Sequence, residues 1–306
     1  MFVADAHCDT LFKIAIKGMA PGKCAVTPRR LEEGGVGLQT FALFAGREGP
    51  KGTPYADGLA MLAAATWLGA PMLTDDLPDT PPEKPMGVFS CEGGEMLEGS
   101  LERLTEFQVA ARLRMIALTW NYENEIGFPA VGGEDKGLKP FGIDLLSEMD
   151  RRGILPDCSH LNVAGFWDIC EHSALPPIAS HSNCRWLCDV PRNLRKEQVK
   201  AIVDRGGFIG VNFYSNFLRA DGPATLDDVV RHIDALCELG GEHVVGFGSD
   251  FDGIDAWPEG LADPSDFPAL LHELRKRGYS EQTLKGLAGM NLWKLLKRAE
   301  REARIK

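Results

Sequence analysis

Short apolar runs alternate with longer stretches of helical period along almost the whole chain of 306 residues. The apolar runs cover residues 2–6, 36–44, 86–91, 115–119, 154–159, 177–180, 207–213 and 244–249. Continuous apolar runs of this length are typical of parallel strands that are buried on both faces. Eight such strands with helices between them predict an α/β fold, a single (β/α)8 or TIM barrel domain over residues 1–306.

The stretches between these runs carry helical signals. The clearest helical stretches cover residues 55–73, 97–113, 142–152, 162–171, 194–204 and 226–239. Thr225 and Asp228 form a capping-box pattern before the last of them, and Ser280 marks the start of the final helix. Residues 73–85, rich in Asp, Glu and Pro, predict a surface loop rather than a domain boundary.

Composition excludes several classes of protein. The chain is 44% hydrophobic and 25% charged, which is ordinary for a globular protein and argues against disorder or a coiled coil. Its net charge of −11, without a basic stripe, argues against nucleic-acid binding. No apolar run is long enough to span a membrane, and residues 1–7 lack the pattern of a signal peptide. The eight cysteines form no CxxC pair, so we expect a cytoplasmic protein with reduced thiols and no membrane partner.

Histidine and carboxylate side chains stand where five of the predicted strands end. They are His7 and Asp9 after the first strand, Glu92 after the third, His160 after the fifth, His181 after the sixth and Asp250 after the eighth. In a barrel, the carboxyl ends of all strands lie on one rim, where active sites form. We therefore expect these six side chains to converge.

Imidazole and carboxylate ligands suit zinc or another first-row divalent ion. His7 and Asp9 are two residues apart, so in a strand both would face the same ion. A lone histidine at a strand end is more often a hydrogen-bonded core residue, so the prediction depends on the joint pattern. A shared carboxylate would allow two ions about 3.5–4 Å apart.

Eight motifs along the chain resemble the membrane dipeptidase (renal dipeptidase) family of zinc-dependent, amidohydrolase-type barrels. The motifs are DAHCD at 5–9, CEGG at 91–94, ALTWN at 117–121, DCSH at 157–160, SHSN at 180–183, PRN at 191–193, VNFY at 211–214 and GFGSDFDG at 246–253. Their order and spacing match over most of the chain. The resemblance implies a dipeptidase that cleaves small dipeptides through a hydroxide bridging two divalent ions, expected to be Zn²⁺, and it makes a homodimer possible.

The resemblance also implies roles for individual residues. His7 and Asp9 would bind the first zinc ion, His160 and His181 the second, and Glu92 both. Asp250 would be the catalytic acid and base. Arg192 would hold the C-terminal carboxylate of the substrate, and Tyr214 would line its pocket.

One position departs from the family pattern. Kidney-type members have a histidine after the Leu-Thr of the fourth strand, where this chain has Trp120. An indole donates one hydrogen bond and cannot become an imidazolium ion. We therefore expect the metal site to be retained and the substrate preference to differ, with Trp120 as a wall of the substrate pocket.

Two other functions remain open. The first is a metal-dependent amidohydrolase that attacks lactones, cyclic amides or phosphotriesters, although the absence of a metal-bridging lysine at a strand end counts against most of these. The second is a non-catalytic metal-binding barrel. The presence of every ligand position together with Asp250 argues against that alternative.

Overall fold

The computed structural model describes residues 1–46 and 51–305. Its strands form a closed, all-parallel barrel in which each strand pairs with the next along the chain and the last pairs with the first. The strands are β1 (Val3–Asp5), β2 (Val36–Phe44), β3 (Met86–Glu92), β4 (Met115–Ala117), β5 (Leu155–Asp157), β6 (Ile178–Ala179), β7 (Phe208–Val211) and β8 (Val245–Phe247). The predicted TIM barrel is confirmed, and each predicted run contains one strand.

Helices connect the strands and surround the barrel. They are α1 (Thr10–Ala15), α2 (Pro28–Glu33), α3 (Pro54–Ala64), α4 (Leu101–Ala111), α5 (Pro140–Arg152), α6 (Val163–His172), α7 (Lys196–Asp204), α8 (Ser215–Leu218), α9 (Leu226–Glu238), α10 (Phe267–Lys276), α11 (Glu281–Lys285) and α12 (Asn291–Ile305). A π-helical turn, Gly286–Met290, joins α11 to α12. No helix within the described ranges is both long and apolar enough to cross a membrane.

The predicted helix starts are confirmed at two places. At α9, the backbone N–H of Thr225 donates to Asp228 Oδ2 at 2.9 Å, as the capping box requires. At α11, Ser280 Oγ accepts from the N–H of Thr283 at 3.1 Å. The predicted helix over 55–73 is shorter in the structure, because α3 ends at Ala64 and only a 3₁₀ turn, Ala65–Trp67, follows it. Residues 73–85 form neither helix nor strand, as predicted.

Most strands are shorter than the apolar runs that predicted them. The run 154–159 contributes only β5, because the Asp157 carboxylate binds the N–H groups of Ser159 and Ser180, both at 2.9 Å, in place of a further ladder bond. The chain turns there and leaves the sheet. Hydrophobicity continues past this point, so periodicity alone overestimates the length of the strand.

The end of the barrel opposite the rim is closed by an apolar cluster. It joins Ala4, Leu38, Val88, Met115, Leu155, Ile178 and Phe208 of the strands to Leu292 and Leu296 of α12. With that end filled, the polar residues that follow the strands lie together at the other end.

Two glycines allow β6, β7 and β8 to approach closely at the rim. A Cβ atom added to Gly248 would lie 1.8 Å from the carbonyl oxygen of Ser180, and one added to Gly210 would lie 2.0 Å from the same atom. Both contacts are with backbone, which cannot rotate away. Ser180 precedes His181, so the packing of these glycines fixes the position of that histidine.

We expect Gly248→Ala to lower the free energy of unfolding by about 1–3 kcal/mol, because the strands must separate to admit the methyl group. Urea denaturation measures this directly. Gly22→Ala is the matched control, since a Cβ atom there meets nothing within 4 Å. Equal unfolding midpoints for the two variants would contradict the proposed close packing.

Candidate active site

The six side chains predicted to converge do lie together at the C-terminal rim. Each is placed by the end of a strand. His7 follows β1 and Asp9 immediately precedes α1, Glu92 is the last residue of β3, and the other three follow β5, β6 and β8. All six residues are buried.

Glu92 lies at the centre of this group. Its Oε1 is 3.0 Å from His160 Nε2 and 3.5 Å from His181 Nε2, while its Oε2 is 3.4 Å from His7 Nε2. The carboxylate therefore contacts imidazoles from three separate strand ends. Burial opposes ionisation, but the positive charge of His7 outweighs it and holds the pKa of Glu92 well below its ordinary value.

Hydrogen bonds outside the cluster orient the two histidines that follow β5 and β6. His160 Nδ1 lies 2.8 Å from Asn121 Oδ1, and His181 Nδ1 lies 2.7 Å from Ser180 Oγ. The oxygen of Asn121 can only accept, so His160 carries its proton on Nδ1 and presents the lone pair of Nε2 to the cluster. Burial lowers the pKa of both histidines, to about 3 for His160, which keeps them neutral.

The carboxylates of Asp9 and Asp250 complete the cluster on the side of β1 and β8. Their nearest oxygens each lie 3.8 Å from His7 Nε2. Asp250 Oδ2 accepts from Asn212 Nδ2 at 2.9 Å, which fixes the carboxylate. Burial raises the pKa of Asp250 to about 6 and that of Asp9 to about 8, and the charge of Glu92 adds to both shifts.

The donor set fits divalent cations. His7 Nε2, Asp9 Oδ1 and Glu92 Oε2 are buried without a hydrogen-bond partner, although buried polar atoms are normally satisfied. His160 Nε2 and His181 Nε2 lie 3.0 Å apart, so two neutral lone pairs face each other unless a cation or a proton lies between them. Two overlapping groups, His7–Glu92–His181 and His7–Asp9–Asp250, bring their ligand atoms within 4.8 Å of one another. These residues could hold metal.

A cleft of about 320 Å³ opens onto the cluster. Its lining includes Asp9, Glu92, His160 and Asp250, and also Trp120, Tyr214 and Arg192. His7 and His181 form the buried floor beneath it, 2% and 0% exposed. The structure thus brings all nine residues singled out in the sequence to one site.

Arg192 is a buried cation with unused hydrogen-bonding capacity. Its Nη2 donates to the carbonyl oxygen of His181 at 3.4 Å and its Nη1 to Ser182 Oγ at 3.5 Å, both long bonds. Its Nε has no partner, and the guanidinium lies 5.5 Å from the ring centre of Phe217. An arginine held in this way can bind a carboxylate from the cleft.

Two residues of the cluster have strained backbone. His160 and Asp250 have φ angles of 68° and 63°, in the left-handed region that favours glycine. The N–H of Ala130 binds the carbonyl oxygen of His160 at 2.7 Å, and the N–H of Asp250 binds that of His7 at 3.1 Å. These bonds hold the backbone in a conformation that aims both side chains into the cluster.

Two buried aspartates below the rim have a role that the sequence did not indicate. Asp5 accepts from the N–H and hydroxyl of Ser249, at 2.8 and 2.5 Å, and from Gln39 Nε2 at 2.9 Å. Asp157 joins β5 to β6 through Ser159 and Ser180. Each aspartate thus ties together the chain segments that carry cluster residues. The useful signal would have been a carboxylate inside an apolar run, two or three residues before a histidine.

Asp252 likewise holds two segments of the chain together. Its Oδ2 accepts from Thr10 Oγ1 at 2.7 Å, and its Oδ1 accepts from the N–H of Ala25 at 2.8 Å. It holds the segment after α1 against the loop that follows β8. Asn121 and Asn212, which orient His160 and Asp250, were not singled out in the sequence although both lie in its motifs.

We expect Asp157→Ala to destabilise the protein by about 2–5 kcal/mol, since it leaves two buried N–H groups unsatisfied. Asp157→Asn keeps an acceptor oxygen at the same place and should lose less than half as much. Chemical denaturation of both variants measures the difference. If the asparagine variant is as unstable as the alanine variant, the loss comes from charge and not from the two bonds.

A family model describes nearly the whole chain. The model of the membrane dipeptidase family, peptidase family M19, matches residues 1–305. Among curated proteins, an uncharacterized protein in the pqqA 5′ region of Klebsiella pneumoniae is 40% identical over 220 residues, which is 69% of this chain and 80% of that protein. An uncharacterized dipeptidase of Schizosaccharomyces pombe is 35% identical over 220 residues, 70% of this chain but 53% of that longer protein.

Two solved structures of similar proteins match this chain over almost its whole length and over almost the whole of their own. The crystal structure of a dipeptidase of family M19 matches with a TM-score of 0.87 and 27% identity, covering 98% of each chain. A metallopeptidase from Rhodobacter sphaeroides, bound to a phosphinate mimic of the dipeptide L-Ala-D-Ala, matches with a TM-score of 0.86 and 27% identity, covering 98% of this chain and 99% of that one. The chain therefore belongs to the membrane dipeptidase family and is a metal-dependent hydrolase of peptide bonds.

Proposed function

We propose that this protein is a binuclear metallodipeptidase that hydrolyses small dipeptides with a free C-terminal carboxylate. The convergence of three imidazoles on the buried Glu92, with two further carboxylates beside one of these imidazoles, His7, carries the proposal. The complex of the Rhodobacter relative with a dipeptide mimic supports a dipeptide as substrate. A cytoplasmic location, a homodimer and a lack of nucleic-acid or membrane partners stay predictions.

The cluster divides into two ligand sets that share Glu92. His7 and Asp9 would hold one ion, His160 and His181 the other, and each oxygen of Glu92 already faces one set. Imidazole and carboxylate donors suit Zn²⁺. When bound, such ions would lower the pKa of a water so that it gives up a proton near neutral pH, and they would polarise the carbonyl of the substrate.

Asp250 is the acid and base of the reaction. Its pKa of about 6 leaves it ionised at neutral pH yet close enough to exchange a proton readily. Asn212 holds Oδ2, so Oδ1 faces the cluster. Oδ1 takes the proton from the attacking water and returns it to the amine as the peptide bond breaks.

Arg192 binds the carboxylate of the substrate. The loop between β6 and α7 carries it, and its bond to the carbonyl oxygen of His181 ties it to a residue of the metal site. The guanidinium therefore lies at a fixed distance from the reacting carbonyl. In a dipeptide the C-terminal carboxylate lies at such a distance from the scissile bond, whereas in a longer peptide it lies farther away.

Zinc-loaded protein should contain two ions per chain, and its affinity for zinc should rise with pH. Burial lowers the pKa of His7, but the charge of Glu92 outweighs burial and holds that pKa well above its ordinary value, while the pKa of Asp9 is about 8. Both groups therefore hold protons at neutral pH in the metal-free protein and must lose them to bind zinc. Raising the pH lowers the cost of removing these protons, so affinity gains about tenfold per pH unit for each proton released.

Elemental analysis gives the ion count, and titration calorimetry of metal-free protein in buffers of different ionisation enthalpy gives the protons released. His272→Ala, at an exposed position on α10, is the control and should keep both ions. A count of one ion or none in the zinc-loaded wild type would overturn the binuclear proposal.

Asp250→Asn should keep the metal and the fold but lower kcat by about 10²–10⁴-fold, the usual cost of losing a general acid and base. Steady-state kinetics on a good dipeptide measures the effect. Asp79→Asn serves as the control, because that side chain is fully exposed and remote from the cleft. Turnover close to that of the wild type would remove Asp250 from its assigned role.

Amidation of the C-terminus of a good dipeptide should lower kcat/KM by at least about tenfold, because Arg192 then loses its charged partner. In Arg192→Ala the free and the amidated substrates should react at similar, low rates. Arg195→Ala removes an exposed arginine of the same loop and should keep the discrimination. If the wild-type enzyme hydrolyses both substrates equally well, Arg192 does not bind the carboxylate.

A further inference from the structure

Aromatic rings form a continuous wall along one side of the cleft. Phe12 and Phe44 have ring centres 4.8 Å apart, and Phe44 and Trp120 have ring centres 4.9 Å apart. All three residues line the cavity of about 320 Å³. We call these three residues the aromatic wall. Tyr122 extends it, with its ring centre 5.0 Å from that of Trp120.

The aromatic wall lies across the barrel from Arg192. Its residues come from α1, the end of β2 and the segment after β4. Arg192 lies between β6 and α7, with Tyr214 and Phe217 beside it after β7. In a barrel of eight strands closed in chain order, β2 and β6 are on opposite sides. The cluster around Glu92 therefore lies between the aromatic wall and the arginine.

Two features indicate that the aromatic wall binds a ligand. Phe12 and Trp120 are only partly buried, although they belong to a layer of rings that continues to Phe44, which is 9% exposed. Their free faces line the cleft, where a dipeptide can cover them. Each side of the cleft has one ring beside a cation, since Lys17 Nζ lies 5.2 Å from the ring centre of Phe12 and the guanidinium of Arg192 lies 5.5 Å from that of Phe217.

We propose that the aromatic wall selects dipeptides whose N-terminal residue has a large apolar side chain, preferably an aromatic one. The inference depends on the proposed function. With the C-terminal carboxylate at Arg192 and the scissile carbonyl at the cluster, the N-terminal residue extends away from Arg192 and toward the wall. Offset or edge-to-face contacts with its rings stabilise an aromatic side chain beyond the burial of area alone.

The apolar character of the aromatic wall adds selectivity. Its side chains offer one polar group, the indole N–H of Trp120, which donates only. Glycine would leave the rings uncovered, whereas an acidic side chain can pair with Lys13, which also lines the cleft. The replacement of the kidney-type histidine by Trp120 therefore converts a polar position into part of an apolar surface.

The experiment compares two matched series of dipeptides on the zinc-loaded enzyme. The first varies the N-terminal residue, with Phe-Gly, Leu-Gly and Gly-Gly, and the second varies the C-terminal residue, with Gly-Phe and Gly-Leu. We expect kcat/KM for Phe-Gly and Leu-Gly to exceed that for Gly-Gly by about 10–100-fold. The C-terminal series should show a smaller spread.

Variants assign the preference to the aromatic wall. Phe12→Ala should lower the ratio of kcat/KM for Phe-Gly over Gly-Gly by about tenfold, and Phe12→Leu should lower it less. Trp120→His should lower the same ratio while the zinc content stays unchanged. Trp67→Ala is the control, because Trp67 is 62% exposed and outside the cleft lining, so its ratio should match that of the wild type.

The outcomes separate this inference from the function on which it depends. Equal kcat/KM across the N-terminal series, or a larger spread in the C-terminal series, would overturn the assignment of the aromatic wall and leave the dipeptidase intact. An unchanged ratio in both Phe12→Ala and Trp120→His would also overturn it. Failure of the fully zinc-loaded wild type to hydrolyse any of these dipeptides would overturn the proposed function, and this inference with it.

Discussion

The burial of one carboxylate constrains the whole rim of this barrel. Glu92 is 3% exposed, and an ionised carboxylate without partners costs several kcal/mol at such a site. Its partners are imidazoles that follow β1, β5 and β6, so they meet Glu92 only when the barrel is closed in the correct register. Closure of the fold and assembly of the site therefore depend on the same contacts. The neutral state of His160 and His181 leaves the negative charge incompletely balanced, which favours a cation there.

Hydrogen bonds of two aspartates below the rim extend this constraint to the strands. Asp5 connects β1 with the residues after β8, and Asp157 connects the ends of β5 and β6. In both places a carboxylate side chain accepts backbone N–H bonds that a carbonyl of the neighbouring strand would otherwise accept. The strands therefore end early, and the chain turns toward the cleft. The left-handed backbone of His160 and Asp250 follows these turns. Because the strands end early, histidines and carboxylates that lie far apart in the sequence can reach one point.

Much of this architecture could be predicted from the sequence, because it depends on patterns that occur within a few residues. Alternation of apolar runs and helical stretches predicted eight strands, and the residues that end the runs predicted the cluster. The roles of Asp5 and Asp157 could not be predicted in this way. A buried aspartate close to a histidine has the same local pattern whether it binds a metal or a backbone N–H, and only the position of the neighbouring strand decides between the two.

The aromatic wall escaped prediction for a related reason. Phe44 ends a continuous apolar run, and Phe12 lies on the first helix, so both resembled ordinary core residues. Hydrophobicity indicates that a side chain avoids water and says nothing about whether its last contact is with the protein or with a ligand. Trp120 was the one signal in the sequence, because its motif had already assigned this position to the substrate pocket.

In the proposed function, the bond between Arg192 and the carbonyl oxygen of His181 links substrate recognition to the chemistry. Because the arginine is buried and held by the backbone of a cluster residue, it cannot follow a longer peptide outward without leaving that oxygen and its place against Phe217. The distance between the guanidinium and the cluster is therefore a property of the fold. Loops surround the rim, but in the proposed function the length of substrate that fits is set by the strand end that positions His181. Gly210 and Gly248 pack against this strand end through Ser180. The proposed selection by length and the assembly of the site therefore depend on the same close packing of β6, β7 and β8.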